Sequence, residues 1–205
     1  FFVLPFMNDT PFNDDGLGTI ASTELLRVVK GTNKAVVPED MRSADTSRDF
    51  FSGDKVRLSP LLREGKRLGV TLLAIGKIKH VKYRQKGDDV GLFRQKKAIA
   101  AVTIEMRMFD IAEGKEIISV TRAGDSTASQ TNVFGSDDSD NPKEQRLELV
   151  QEAIRNSSRL IAGDITRALE KISWEGRIAK ISGGRVYIND GRASGLNIGD
   201  ILKVK

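Results

Sequence analysis

The stretch Val102-Thr103-Ile104-Glu105-Met106-Arg107-Met108-Phe109-Asp110-Ile111-Ala112-Glu113-Gly114-Lys115-Glu116-Ile117-Ile118-Ser119-Val120 decides the fold. Apolar residues alternate at Val102, Ile104, Met106 and Met108, and again at Ile118 and Val120. Period-two alternation marks half-buried strands, and a polar link containing glycine between two such runs marks a hairpin. Working outward, residues 70–126 read as two long strands flanking a short basic arm, then a third strand after a tight turn. The polar face of these strands carries no nucleophile and no pair of convergent carboxylates. That points to a scaffold rather than to chemistry.

Upstream, residues 1–6 (Phe1-Phe2-Val3-Leu4-Pro5-Phe6) form a short apolar strand, and the loop from Asn8 to Asp15 carries turn-forming residues. A helix is expected over 17–29, with Ile20, Ala21, Leu25, Val28 and Val29 on one stripe and Gly31 to end it. Residues 35–38 read as a second strand stopped by Pro38. Ser59-Pro60 sets a helix start, with Ser59 as N-cap, and that helix runs over 59–68 to Gly69. The sequence predicts an α/β (α+β) domain: a mixed sheet from 1–6, 35–38, 70–84, 98–110 and 115–125, flanked by helices.

Downstream, residues 127–140 read as a polar loop. Asn141-Pro142-Lys143-Glu144 then starts a long helix over 143–172. Its stripe is Leu147, Val150, Ile154, Ser157, Ile161, Ile165, Ala168 and Ile172, and Gly163 marks an expected close approach to another backbone. After Trp174 come a strand over 176–181, a turn at Ser182-Gly183-Gly184 and a strand over 185–189. We therefore expect an α/β domain over 1–173 and a small β module over 174–205. A module of that size is too small for a stable core of its own.

The 205 residues carry 33 Lys and Arg against 28 Asp and Glu, a net charge of +5 concentrated between Lys77 and Lys97. No window approaches the roughly 20 apolar residues of a membrane helix. The absence of cysteine rules out disulfides and thiolate metal sites. The chain opens directly on a strand, so residues ahead of Phe1, a secretion signal or lipid anchor among them, are an expectation.

Gly16-Leu17-Gly18-Thr19-Ile20-Ala21 matches the G-x-G-x-x-A dinucleotide pattern, with Glu39 at a fitting distance. That pattern needs its glycines directly after the first strand. Nine residues separate Phe6 from Gly16, so the glycines read as a helix entry. No triphosphate-binding loop is present. His80, the single histidine, excludes a triad or two-histidine metal site within one chain. Asp137, Asp138 and Asp140 lack calcium-loop spacing and read as a solvated loop. No cofactor and no catalytic constellation are expected.

The basic arm comprises Lys77, Lys79, Lys82, Arg84, Lys86, Arg94, Lys96 and Lys97, with Tyr83 and Phe93 interleaved. Such a pattern fits a nucleic-acid backbone, a solvated hairpin or an acidic neighbouring subunit. No nucleic-acid-binding motif accompanies it, and the subunit or partner interface is the reading carried forward. Lys79, Lys82, Tyr83, Arg84, Lys86, Phe93, Arg94, Lys96 and Lys97 would meet Asp137, Asp138 and Asp140 of a neighbour in a head-to-tail contact, and such contacts close into rings.

The strand Val3-Leu4-Pro5-Phe6, the helix containing Thr23-Glu24-Leu25-Leu26, the segments Val37-Pro38-Glu39, Leu61-Leu62-Arg63-Glu64 and 72–78, and the strand–turn–strand with Arg107, Asp110, Gly114, Glu116 and Ser119 together resemble the TolB N-terminal and curli-secretion-pore family. Residues 184–189 and 195–200 are similar to the terminal β module of the ring protein at the outer-membrane end of sheathed flagella. The resemblance implies a non-enzymatic, periplasmic, outer-membrane-associated ring or anchoring protein, associated with the flagellar basal body. Its partners would be itself, as a homo-oligomeric ring, and other envelope or flagellar ring proteins. The alternative is a periplasmic lipoprotein-type binding module, such as a cell-wall synthase activator or export accessory protein. The curli pore places membrane hairpins in the arm and after the return strand. Here both segments are charged or polar and lack the apolar face of a barrel strand.

Overall fold

The computed structural model describes residues 1–12, 14, 16–38, 46–88, 93–133, 142–172, 178–188 and 198–202. Its spine is an antiparallel ribbon of three strands: β5 (Leu72–Asp88), β6 (Phe93–Asp110) and β7 (Lys115–Val133). Earlier in the chain lie β1 (Phe2–Val3) and β2 (Met7–Asn8), which pair in parallel with β5 at Leu73–Ala74 and Lys77–Ile78. The sheet is therefore mixed, in the order β1–β5–β6–β7, as the alternating pattern predicts. The β6–β7 turn is the one the sequence indicates. Asp110 Oδ1 accepts from the amides of Ala112 and Glu113, and Gly114 takes the left-handed conformation at φ 67.

Alternation on β6 sorts the sheet into two faces. Ala100, Val102, Ile104, Met106 and Met108 are fully buried beneath α1 (Gly16–Gly31) and α3 (Pro142–Leu169). Leu17, Ala21, Leu25 and Val29 of the first helix and Val150, Ala153, Ile154, Ile161 and Ile165 of the second complete this core. Burying each such side chain contributes about 1.5–3 kcal/mol. On the other face a one-turn helix (Ser47–Phe50), the hairpin β3 (Phe51–Ser52) and β4 (Lys55–Val56), and α2 (Leu58–Leu68) enclose a second core. Leu4, Phe50, Leu61, Leu73, Ile75, Phe109 and Ile111 form it. This second layer covers only the end of the sheet nearest the β6–β7 turn.

Several expected features differ. Residues 35–38 are not a strand. The edge of β5 where such a strand would add is filled by β1 and β2, and Pro38 has no N–H to donate. The expected strand over 1–6 is broken around Pro5 for the same reason. Leu4 N donates to Ala74 O, whereas Phe6 N turns to Gly18 O. Residues 127–133, expected as loop, continue β7, because β6 from Phe93 to Ile99 supplies a ladder that satisfies their backbone. The N-cap of α2 is Arg57 rather than Ser59, which leaves Pro60 in the first turn, where its missing N–H costs nothing. Gly69 ends that helix at φ 68, as expected. The long helix stops at Leu169, and residues 170–172 follow in tight turns.

Gly163 has open space around it rather than a close backbone. The close approach is at Gly124 of β7. A Cβ there would lie 2.3 Å from Ser157 N and 2.4 Å from Ala153 O of α3. Residues 178–188 form a hairpin, β8 (Ile178–Ser182) and β9 (Arg185–Ile188), turned at Gly183-Gly184.

Candidate functional site

The basic arm is the continuation of β5 and β6 beyond the covered end of the sheet. A bulge between Ile78 and His80 separates its two halves. Before the bulge, the cations are spent internally. Lys77 is 1% exposed; its Nζ donates to Gly53 O at 2.5 Å, stands 3.3 Å from Asp54 Oδ1 and sits 4.3 Å from the Phe51 ring centre. Lys79 Nζ pairs with Asp54 at 2.8 Å and approaches Glu105 at 3.8 Å. The Lys79 hydrogen bond, then that of Lys77, holds the Asp54 carboxyl below its ordinary value, and Asp54 in turn raises Lys79. Lys77, counted in the basic arm, and Lys79, counted in the expected interface, fasten the β3–β4 hairpin to the sheet.

Beyond the bulge, the ladder shows which residues share a face. Lys82, Ala101 and Asp125 form one row across the three strands, and Arg84, Ile99 and Thr127 another. Lys82, Arg84, Lys97, Asp125 and Thr127 are exposed on the face opposite the helices. Tyr83 has the other parity. It packs against the helix-side core, with the Arg146 guanidinium 5.3 Å from its ring centre and Gln85 Nε2 donating to its hydroxyl at 2.8 Å. Tyr83 therefore does not share a face with Lys82 and Arg84. Lys86 pairs with Lys97, Lys96 with Gly87, Arg94 with Asn132 and Phe93 with Val133 in the backbone ladder. Asp137, Asp138 and Asp140 lie outside the described residues.

Sequence reasoning passed over Asp125. Continued alternation of small residues at Gly124, Ser126 and Ala128 after Val120 was the signal that β7 runs on past residue 125. Up to that point α3 attends the strand. Ser157 Oγ donates to Arg122 O at 2.9 Å, and Asn156 Nδ2 donates to Asp125 O at 2.8 Å. The Arg122 guanidinium grips buried Asp164, with Nε 2.8 Å from Oδ2 and Nη2 2.8 Å from Oδ1. Among the described residues, β7 pairs with β6 alone, and β5 has no outer partner past the bulge. The ribbon thus ends in two open backbone edges.

The glycine pair at the start of α1 serves packing. A Cβ on Gly18 would lie 1.9 Å from Phe6 O, and Gly16 N is taken by Asp14 Oδ1 at 2.8 Å. His80 is exposed on β5. Among the described residues no group of three His, Cys, Asp or Glu side chains converges as a metal site, and no helix is long and apolar enough to cross a membrane. What the surface offers is backbone donors, backbone acceptors and paired charge, the equipment of strand addition.

No protein-family model matches the chain, and no curated protein matches its sequence. Among solved structures it is similar to the hypothetical protein CT253 from Chlamydia trachomatis, at 19% identity and TM-score 0.46, covering 82% of this chain and 95% of that one. It is similar to the lipoprotein GNA1162 from Neisseria meningitidis, at 16% identity and TM-score 0.36, covering 81% and 96%. A PelC dodecamer from Paraburkholderia phytofirmans is similar at 13% identity and TM-score 0.34, covering 76% and 86%.

Proposed function

We propose that this chain is a non-enzymatic binding and assembly module of the bacterial cell envelope, of the periplasmic, outer-membrane-associated lipoprotein type. The observation that carries the reading is the ribbon β5–β6–β7, which extends beyond the second core and presents two open edges. A long unpaired edge is a template for another strand, and stable monomers cover or charge such edges. The sequence resemblance to the TolB N-terminal and curli-pore family supports the compartment. Of the similar structures named above one is a lipoprotein and one a dodecamer, but the reading stands on the ribbon. Partners are a second copy of the chain or another envelope protein. A second reading, a ring component at the flagellar base, is favoured by the β8–β9 hairpin, turned at left-handed Gly183 and Gly184, which includes the residues 184–188 that resemble the flagellar module in sequence.

The test is fractionation of cells producing the full-length product, followed by cross-linking in place. The reading expects the protein in the envelope fraction, cross-linked to itself or to other envelope proteins. Recovery in the cytosol without cross-linked species overturns it. Enrichment with isolated flagellar basal bodies would select the second reading.

A further inference from the structure

We propose that β7 of one copy pairs in parallel with β5 of a second copy, with Asp125 of the first beside Lys82 of the second, so that sheets join head to tail. The inference rests on the assembly reading and names its surfaces.

The edges decide the partners. On β5, β1 and β2 occupy the outer side as far as Ile78, which leaves residues 80–88 without an outer partner among the described residues. On β7, α3 side chains attend Arg122 and Asp125, which leaves residues 126–133. That stretch, Ser-Thr-Ala-Ser-Gln-Thr-Asn-Val, contains no charge, proline or glycine. It lacks the charges and prolines by which an edge strand repels a neighbour. The two open stretches have similar lengths and opposite positions in the sheet.

Direction follows from topology. β5 and β7 each run antiparallel to β6, so they run the same way. A copy displaced sideways across the sheet offers its β5 parallel to β7. Register follows from side-chain parity and charge. A slip of one residue would set Asp125 against the Tyr83 face, which points to the helices. With no slip, the row Lys82–Ala101–Asp125 continues into the next copy as Lys82 again. Each exposed Asp125 then meets an exposed Lys82, with Arg84 on the diagonal, and Thr127 meets Arg84. No like charges oppose each other in these rows. Antiparallel pairing of two β7 edges would offer no cation to Asp125 within the open stretch. A head-to-tail contact leaves one edge free at each end, so it propagates or closes into a ring.

Cysteine cross-linking reads this directly, because the chain has no cysteine of its own. Within one copy, residues 82 and 125 stand two strand spacings apart, roughly 10 Å. A disulfide needs Cα atoms within about 7 Å, so the pair cannot close inside one chain. Purified Lys82→Cys/Asp125→Cys protein, oxidised and run without reductant, should give a ladder of multimers. Each single variant should give none. A dimer from Asp125→Cys alone would show β7 meeting β7 and overturn the proposal. A ladder from Arg84→Cys/Asp125→Cys in place of the Lys82 pair overturns the register. In sedimentation, Lys82→Glu and Asp125→Lys should each weaken assembly by about fivefold, the ceiling for one exposed pair, and the double swap should restore it. Wild-type protein that stays monomeric at every soluble concentration overturns the inference. If that same protein still fractionates with the envelope, the binding-module reading stands.

Discussion

Replacing Gly124 with alanine tests whether the contact between α3 and β7 is as close as described. The added Cβ would lie 2.3 Å from Ser157 N, 2.4 Å from Ala153 O and 2.9 Å from the Ser157 Cα. All three are backbone atoms of one helix, so no side chain can rotate out of the way. Relief requires moving α3 outward by about 1 Å, since carbon contacts settle at about 3.5 Å or more. That shift loosens Val150, Ala153, Ile154, Ile161 and Ile165, all fully buried. It also strains the bonds from Asn156 and Ser157 to β7. Overpacking of this kind costs about 1–3 kcal/mol, and a backbone obstruction belongs at the upper end. For a chain of this length, about 3 kcal/mol corresponds to a fall in Tm of roughly 6–12 °C. Urea denaturation gives the free energy directly. Gly163→Ala is the internal comparison, in the same helix with nothing within 4 Å of its Cβ. It should stabilise by about 1 kcal/mol through helix propensity. A Gly124→Ala protein within about 0.5 kcal/mol of wild type would refute the contact.

The parts legible in the sequence were those where local pattern and tertiary environment agree. Alternation at Val102–Met108, the Asp110–Gly114 turn and the 3.6-residue stripe of α3 each give the observed element, because one face is buried throughout. Legibility failed where a partner strand decides. Residues 127–133 carry no hydrophobic alternation, and β6 alone makes them a strand. Val36 and Val37 read as a strand by propensity, yet β1 and β2 hold the edge of β5 as far as Ile78. The surroundings of two arm cations were hidden in a similar way. Lys77 and Lys79 follow each other in sequence like free arm cations, but the β3–β4 hairpin brings Asp54 to them from 23 and 25 residues away. Nothing in the local sequence marks that pairing. Asp125, by contrast, was only the last residue of the expected strand over 115–125 until the register set it in line with Lys82.

Three further perturbations separate structural charge from surface charge. Lys77→Met keeps the buried stem but strips Gly53 O of its charged donor; it should cost about 2 kcal/mol and speed amide exchange in residues 51–56, and unchanged exchange would refute the clamp. Lys82→Glu, by contrast, removes an exposed side chain with no internal ion pair described for it, so the monomer's denaturation midpoint should stay within about 0.5 kcal/mol of wild type; a larger loss would mean that the arm's charge is structural. The last concerns acid. Glu24 accepts from Arg27 Nε at 2.9 Å and Nη2 at 2.7 Å, and from Arg159 Nε of α3 at 3.1 Å. The Arg27 hydrogen bond is the largest influence holding its carboxyl below the ordinary value; burial opposes it, and the charges of Arg27 and Arg159 add to it. A depressed folded pKa means the unfolded chain binds the proton first, at about pH 4.3. The stability Glu24 contributes is thus fully present above that pH and lost as pH falls through the lower folded value. Glu24→Gln should lower stability at neutral pH and flatten the acid limb of the stability profile below about pH 4.3, because the α1–α3 link it replaces no longer titrates. An acid limb as steep as that of wild type would show that the Glu24–Arg159 bridge between the two helices does not hold in solution.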